Sequence, residues 1–223
     1  QWSALSEALF SLDASAASKS SLRISEVHYN PANPTHDELE AGYDNNDDFE
    51  FLEVVNITND TIDLTNVRLV RQTVDDLDQG IEFDFASAQI TKLYAGQRTV
   101  VVTNLDAFAA RYGNNAPVAG QYDGRLSNGG ERLLLMADDQ VIHDFGYDDA
   151  WYPSTDGGGF SLTIVNELLE PGKWSQAAGW MPSLMRGGTP GQAELAGDIN
   201  GDSVVNAEDI DLLYQRVHDQ LQD

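Results

Sequence analysis

"LRISEVHY" (residues 22–29) and "DFEFLEVVNIT" (residues 48–58) are the stretches that decide the fold of this chain. In the first, the apolar side chains Leu22, Ile24, Val27 and Tyr29 alternate with one slip; the second carries Phe49, Phe51 and neighbouring aliphatics. Runs of this kind, rich in β-branched and aromatic residues, read as strands. Each also holds a glutamate, Glu26 and Glu53, that interrupts the apolar pattern. A carboxylate in such a place is half of an acid–base pair, or it is a strand residue satisfied by backbone donors or by an arginine such as Arg23 or Arg68. The structural role is the expectation.

Strand signals continue outward from this pair. "TIDLTNVRLV", "GIEFDF", "RTVVVTN", "RLLLMA", "QVIHDFGY" and "GFSLTIV" follow, separated by Asn, Asp and Gly clusters. "LLLMADDQVIHDF" predicts a hairpin turning at Asp138-Asp139-Gln140. "LDAFAARYG" (residues 105–113) predicts a short helix closed by Gly113. Eight or so short strands at this spacing imply an antiparallel sandwich. From about Glu170 to Ala193 the chain is rich in Gly, Pro and Trp, and is expected to wrap the sandwich without regular structure. Trp2, Leu5, Leu9 and Leu12 form one apolar stripe on a predicted N-terminal helix, and "DASAASKSS" (residues 13–21) reads as a linker.

Composition narrows the function classes. The chain has 223 residues, enough for one large β domain with a small appendage, and at 41% hydrophobic it can bury a core. Its net charge of −25 comes from 37 acidic residues against 12 basic ones. That field repels nucleic acid and anionic membranes and attracts divalent cations, so no nucleic-acid partner is expected. Cysteine is absent, which excludes disulfides, thiolate metal sites and cysteine nucleophiles. No apolar run approaches the roughly 18 residues of a membrane helix, and no membrane insertion is expected.

Candidate chemistry is sparse outside the C-terminus. His28, His36, His143 and His218 are scattered without metal-ligand spacing. Ser161 lacks a G-x-S-x-G frame, and "DGGGF" leads into a strand rather than a helix. No catalytic residue is assigned and the chain is expected not to be an enzyme; a glycoside hydrolase would need Glu26 and Glu53 as its paired carboxylates. Trp151, Tyr152, Trp174 and Trp180 are either a stacking platform for sugar rings or side chains buried under the wrapping segment. Burial is the simpler reading, and carbohydrate stays among the partners to test. Asn56 and Asn59 match glycosylation sequons by pattern alone. In "DELEAGYDNNDDFE" (residues 37–50), Asp44, Asp47 and Asp48 could form a second metal site, although a solvated acidic loop explains them as well.

The chain closes on "GDINGDSVVNAEDI" (residues 197–210), where Asp198, Asn200, Asp202, Asn206 and Asp209 occupy positions 1, 3, 5, 9 and 12 of a twelve-residue window. Ca²⁺ takes about six to eight hard oxygen ligands from a flexible loop of this kind. The side chains of Asp198, Asn200, Asp202 and Asn206, the carbonyl of Val204 and the carboxylate of Asp209 would supply them. Ser203 stands where the sharp turn favours glycine, which softens the site. Ile210, Leu212, Leu213 and Val217 are expected to form the buried side of the following helix.

Two resemblances organise these readings. "LRISEVHYNP", "DDFEFLEVVNITNDTIDLTNVRL", "GIEFDF", "GQRTVVVTNLDAFAARYG", "LSNGGERLLLMADDQVIHDFGYDDAWYPSTDGGGFSLTIV" and the closing "GGTPG" resemble the bacterial lamin-tail domain in order and spacing, over about residues 22–192. The resemblance implies a mainly β, immunoglobulin-like sandwich from large surface or secreted bacterial proteins, with an accessory role in attachment or assembly rather than catalysis. "GDINGDSVVNAEDIDLLYQRV" resembles one half of a type I dockerin. That resemblance implies Ca²⁺ as cofactor and a cohesin-like protein partner, met by Ala207 and Glu208 at the exposed positions. A single segment stands where the dockerin pattern has two, and a lone loop-helix cannot cover its own apolar face. A second copy of the chain is the other candidate partner, its Trp2, Leu5 and Leu9 stripe covering Leu213 and Val217. The expected organisation is therefore an N-terminal helix and linker (1–21), a sandwich (22–193) and a calcium loop-helix (194–223), in an extracellular or cell-surface setting.

Overall fold

A computed structural model describes residues 14–74, 77–193 and 206–220. Its strands are β1 (Ser15–Ala16), β2 (Leu22–His28), β3 (Phe51–Asn56), β4 (Ile62–Asp63), β5 (Val67–Leu69), β6 (Gln72–Val74), β7 (Leu77–Gln79), β8 (Phe83–Asp84), β9 (Lys92–Leu93), β10 (Arg98–Val102), β11 (Val118–Gln121), β12 (Glu131–Ala137), β13 (Gln140–Tyr147), β14 (Leu162–Ile164) and β15 (Trp180–Pro182). Three helices accompany them: α1 (His36–Glu40), α2 (Leu105–Tyr112) and α3 (Ala207–Gln220).

A six-stranded sheet, ordered β11-β10-β3-β2-β14-β15, faces a four-stranded sheet ordered β13-β12-β5-β8. Leu22, Ile24, Val27, Leu52, Val54 and Val101 of the first share one core with Leu69, Leu133, Leu135, Phe145 and Tyr147 of the second. The mainly β, immunoglobulin-like sandwich expected from the sequence is therefore the fold. Two of its strand pairs are parallel, β10 with β11 and β1 with β4, so the architecture is mixed rather than purely antiparallel. The first of these joins enters the sheet after the α2 crossover, which is the kind of connection a parallel pair requires. The second draws Ser15 and Ala16, expected in a linker, into the sandwich, where Ala17 is buried.

The slip in the β2 pattern has a structural cause. Ile24 pairs with Val54 and Glu26 with Glu53, so Ser25 is an extra residue and β2 carries a β-bulge. The bulge shifts the alternation by one, and Leu22, Ile24, Val27 and Tyr29 thereby all reach the inter-sheet core. It leaves Glu26 and Glu53 on the opposite face of the six-stranded sheet. That face is covered too: Phe51, Val100 and Val102 pack against Phe108 of α2. Hence every residue of β2 and β3 is buried, as expected for a sheet covered on both sides.

α2 starts at Asn104, whose side chain accepts from the Asp106 and Ala107 amides, each at 3.1 Å. It ends at Gly113, whose φ of 75° is one that glycine adopts without strain. The β12–β13 hairpin turns at Asp138 and Asp139 as read from the sequence, with Gln140 already in the strand. Residues 170–193 do wrap the sandwich, but they add a short strand, β15, at the sheet edge. Trp180 and Trp174 are each only 1% exposed. Trp180 stacks on Phe145 with ring centroids 5.1 Å apart, and Trp174 on His143 at 3.6 Å. Asn56, a sequon residue, is fully buried against the carbonyls of Asp60, Leu93 and Tyr94, where no glycan fits.

Truncating Trp180 to alanine should destabilise the domain by about 3–5 kcal/mol in urea denaturation. A loss under about 1 kcal/mol would mean that the wrapping segment is not part of the cooperative core.

Candidate functional site

The bulge places Ser25 and Glu26 beside Glu53, and Glu26 and Glu53 face each other directly across β2 and β3. Both glutamates are 1% exposed. Two ionised carboxylates so placed repel, and each needs donors to replace the water it has lost. Glu26 accepts from the Ser161 hydroxyl at 2.5 Å, the Thr189 amide at 2.9 Å and the Thr189 hydroxyl at 3.2 Å. Glu53 accepts from the Ser25 hydroxyl at 2.7 Å and the Gly191 amide at 2.6 Å, and pairs with Arg98 Nε at 3.2 Å. Burial and the opposing Glu26 charge push the Glu53 carboxyl well above the usual carboxylate range, against the pull of Arg98. The acids thus take the structural role expected of them, and the arginine paired with Glu53 is Arg98. Arg23 instead donates to the carbonyls of Glu167, Lys19 and Leu22, and Arg68 to that of Asp138.

The Thr189 and Gly191 donors come from a strap, residues 187–191 ("GGTPG"), laid over the sheet. Gly188 has a φ of +80°, and a Cβ there would sit 2.3 Å from Glu26 Oε1 and 2.9 Å from Phe51 Cζ. The close approach that lets Thr189 reach Glu26 therefore requires glycine. Arg98 fastens the end of the strap: it donates to the Gln192 carbonyl at 3.1 Å and also pairs with Glu167. Sequence reading saw the glutamates and the glycine-rich segment separately; what joins them is a contact between residues more than 130 positions apart.

The other predicted site residues are placed as follows. Asp198, Asn200, Asp202, Val204, Trp2, Leu5 and Leu9 lie outside the described residues, as does the side chain of Val217. Asn206 and Asp209 meet at the start of α3. The Asn206 amide donates to Asp209 Oδ2 and the Glu208 amide to Asn206 Oδ1, both at 2.7 Å, a reciprocal cap on the helix. Asp209 is 1% exposed, whereas Ala207 and Glu208 face solvent. Of the expected buried side of α3, Leu212 is half-buried, whereas Ile210 is 67% and Leu213 48% exposed; Tyr214, which the sequence reading did not single out, is 74% exposed.

In the acidic 37–50 loop, Asp47 and Asp48 are paired with Arg125 at 3.0 and 3.8 Å. Among the described residues no group of three or more His, Asp or Glu side chains is arranged to hold a metal ion, Asp44, Asp47 and Asp48 included. Trp174 and Trp180 are no stacking platform, since both are buried, and the Tyr152 hydroxyl is spent on the carbonyls of Ala177 and Trp180.

A model of the Lamin Tail Domain family matches residues 15–149, more than half of the chain. The chain belongs to the lamin-tail family. Among curated proteins nothing matches it. The match begins at β1, in keeping with the pairing of Ser15 and Ala16 to β4, and it ends before the strap. In this lamin-tail domain the glutamate pair lies inside the matched region, and the strap that donates to it lies beyond.

One further buried acid, just before β3, joins the ends of β10 and β11. Glu50 accepts from the Thr103 hydroxyl at 3.0 Å, the Tyr122 hydroxyl at 2.8 Å and the Leu126 amide at 2.9 Å, and burial raises its pKa to about 8. The folded state therefore keeps a proton that the unfolded chain releases near the ordinary glutamate value. Its contribution is full below that value and is lost as pH rises through about 8. Glu50→Gln should flatten this alkaline loss of stability, measured as urea midpoints across the range; an unchanged slope would assign the loss to other groups. Gly188→Ala should unseat the strap, seen as new protease cleavage in residues 184–193. Protection equal to that of the parent chain would contradict the close packing of Gly188 on Glu26.

Proposed function

We propose that this lamin-tail domain is a non-catalytic, calcium-binding attachment or assembly module of a bacterial surface or secreted protein, with α3 presenting the surface that a protein partner covers. The observation that carries the reading is the exposure of Ile210 and Leu213 on α3. These residues stand at helical spacing on one face, which a protein partner would cover. Asp209, buried at the first turn and turned back toward Asn206, supports the metal part. The bond from the Asn206 amide to Asp209 Oδ2 joins positions 9 and 12 of the twelve-residue window. With Asp198, Asn200, Asp202 and the Val204 carbonyl they make an all-oxygen donor set of the hardness Ca²⁺ takes. Bound Ca²⁺ would neutralise the loop's carboxylates and fix the angle at which α3 leaves the domain.

The non-catalytic part rests on access. Glu26 and Glu53, the pair a glycosidase would need, are buried under the strap with their oxygens already accepting from protein donors. The partner is a cohesin-like domain or a second copy of this chain, whose Trp2, Leu5 and Leu9 stripe has the matching apolar character. A copy-to-copy contact of N-terminal stripe on C-terminal helix would be heterologous and build rings or filaments.

Sedimentation velocity in Ca²⁺ and in EDTA tests both parts. Self-assembly predicts a larger species in Ca²⁺ that disperses in EDTA, and in the variant Asp198→Ala with Asp202→Ala. A monomer under every condition removes the self-assembly part, and calorimetry that detects no Ca²⁺ uptake removes the metal part.

A further inference from the structure

Residues 165–179 join β14 to β15 and pack on β13, the last strand of its sheet. The Trp174 ring of this loop lies flat on the His143 ring of β13, with centroids 3.6 Å apart and planes 21° apart. His143 is fully buried. Among the described residues neither of its ring nitrogens has a hydrogen-bond partner, and Trp174 Nε1 has none. In either neutral tautomer the imidazole therefore buries one donor and one acceptor unpaired, and a protonated ring would bury two donors and a charge.

The charges around the stack offer that proton no counterion. Leu135, opposite His143 on β12, is apolar. From β2, the Arg23 guanidinium lies 5.3 Å from the centroid of the same Trp174 ring, held by the carbonyls of Leu22 and Glu167. On β13 itself, Asp144 is exposed and paired with Arg132 at 2.5 and 2.6 Å. In the loop, Lys173 and Glu170 are exposed, and Glu170 acts on Arg23. A proton on His143 would thus meet a neighbouring cation and no buried carboxylate. Burial, and after it the Arg23 charge, hold His143 well below the ordinary histidine value.

The stack is tied into the loop around it. Trp180 Nε1 donates to the Trp174 carbonyl at 2.7 Å, the Val165 amide to the Gly179 carbonyl at 3.0 Å, and the Gly146 amide of β13 to the Ser175 hydroxyl at 3.3 Å. Lifting Trp174 from His143 withdraws acceptors from all three donors.

We propose that residues 165–179 are an acid-sensitive flap: when His143 takes up a proton, Trp174 leaves its ring and the flap opens from β13 while the two sheets stay folded. Opening bares the outer edge of β13 at Gly146. In the open form the histidine titrates near its ordinary value of about 6.5, so the open form is the one that binds the extra proton. Closure is at full strength above about pH 6.5, and below it the open fraction rises about tenfold per pH unit, one proton being taken up.

Native-state hydrogen exchange of the full chain tests this at the Trp180 indole N–H and the Val165 amide, from about pH 7.5 down to about 4.5, with intrinsic rates corrected for. The protection of both should fall about tenfold per pH unit below about 6.5, while the β2 and β3 amides keep theirs. His143→Phe keeps an aromatic ring under Trp174 without a titrating nitrogen, and its protection should stay level over the same range. Level protection in the parent chain overturns the proposal whether or not the variant folds. An equal slope in His143→Phe overturns it by assigning the proton to another group, and loss of the β2 and β3 amides in step overturns it in favour of global acid unfolding.

Discussion

Two glutamates facing each other across adjacent buried strands are the constraint from which the rest of this domain follows. Glu26 and Glu53 sit on the outer face of the six-stranded sheet, and neither keeps access to water. An isolated charge in that position is costly, and a like pair more so, unless donors surround it. The protein meets the demand with hydroxyls from Ser25 and Ser161, a guanidinium from Arg98, and two amides from a strap far along the chain. The acids act as anchor points: they fix where residues 187–191 cross the sheet.

This arrangement explains features that look unrelated in the sequence. The bulge at Ser25 restores the phase of the apolar side chains and also puts a hydroxyl against Glu53. The glycine at 188 is demanded by both its backbone angle and its 2.3 Å margin to Glu26. Arg98 couples the strap to Glu167, so one cation closes a ring of contacts around the two acids. The strap in turn forms one wall of a cleft that His28 and Arg186 line.

How much of this could be read in advance depended on the range of the interactions. The alternation around β2 and β3, the Asp138–Asp139 turn and the Asn104-to-Gly113 helix limits are local, and the sequence carries them openly. The phase slip between Ile24 and Val27 was visible as well, but a bulge announces itself only once a partner strand shows which residue is extra. Glu26 and Glu53 were recognisable as buried acids with a structural role. The arginine that pairs with Glu53 was not, because Arg23, Arg68 and Arg98 all lie in strands and pairing is decided by sheet order. The helix face of Ile210 and Leu213 was read as buried from its periodicity alone. Periodicity gives a face but not the object that covers it, and in the described chain that face is open to solvent.

The strap-bearing sandwich is closed by buried acids, and α3 carries Ile210 and Leu213 exposed on one face. The central claim concerns the first, and native-state hydrogen exchange at the Thr189 and Gly191 amides tests it most directly. If the glutamate pair anchors the strap, both amides are protected to the same level as the β2 and β3 core amides and exchange through global unfolding. Exchange of either amide at the rate of an unprotected loop, with the β2 and β3 amides still protected, would contradict the account.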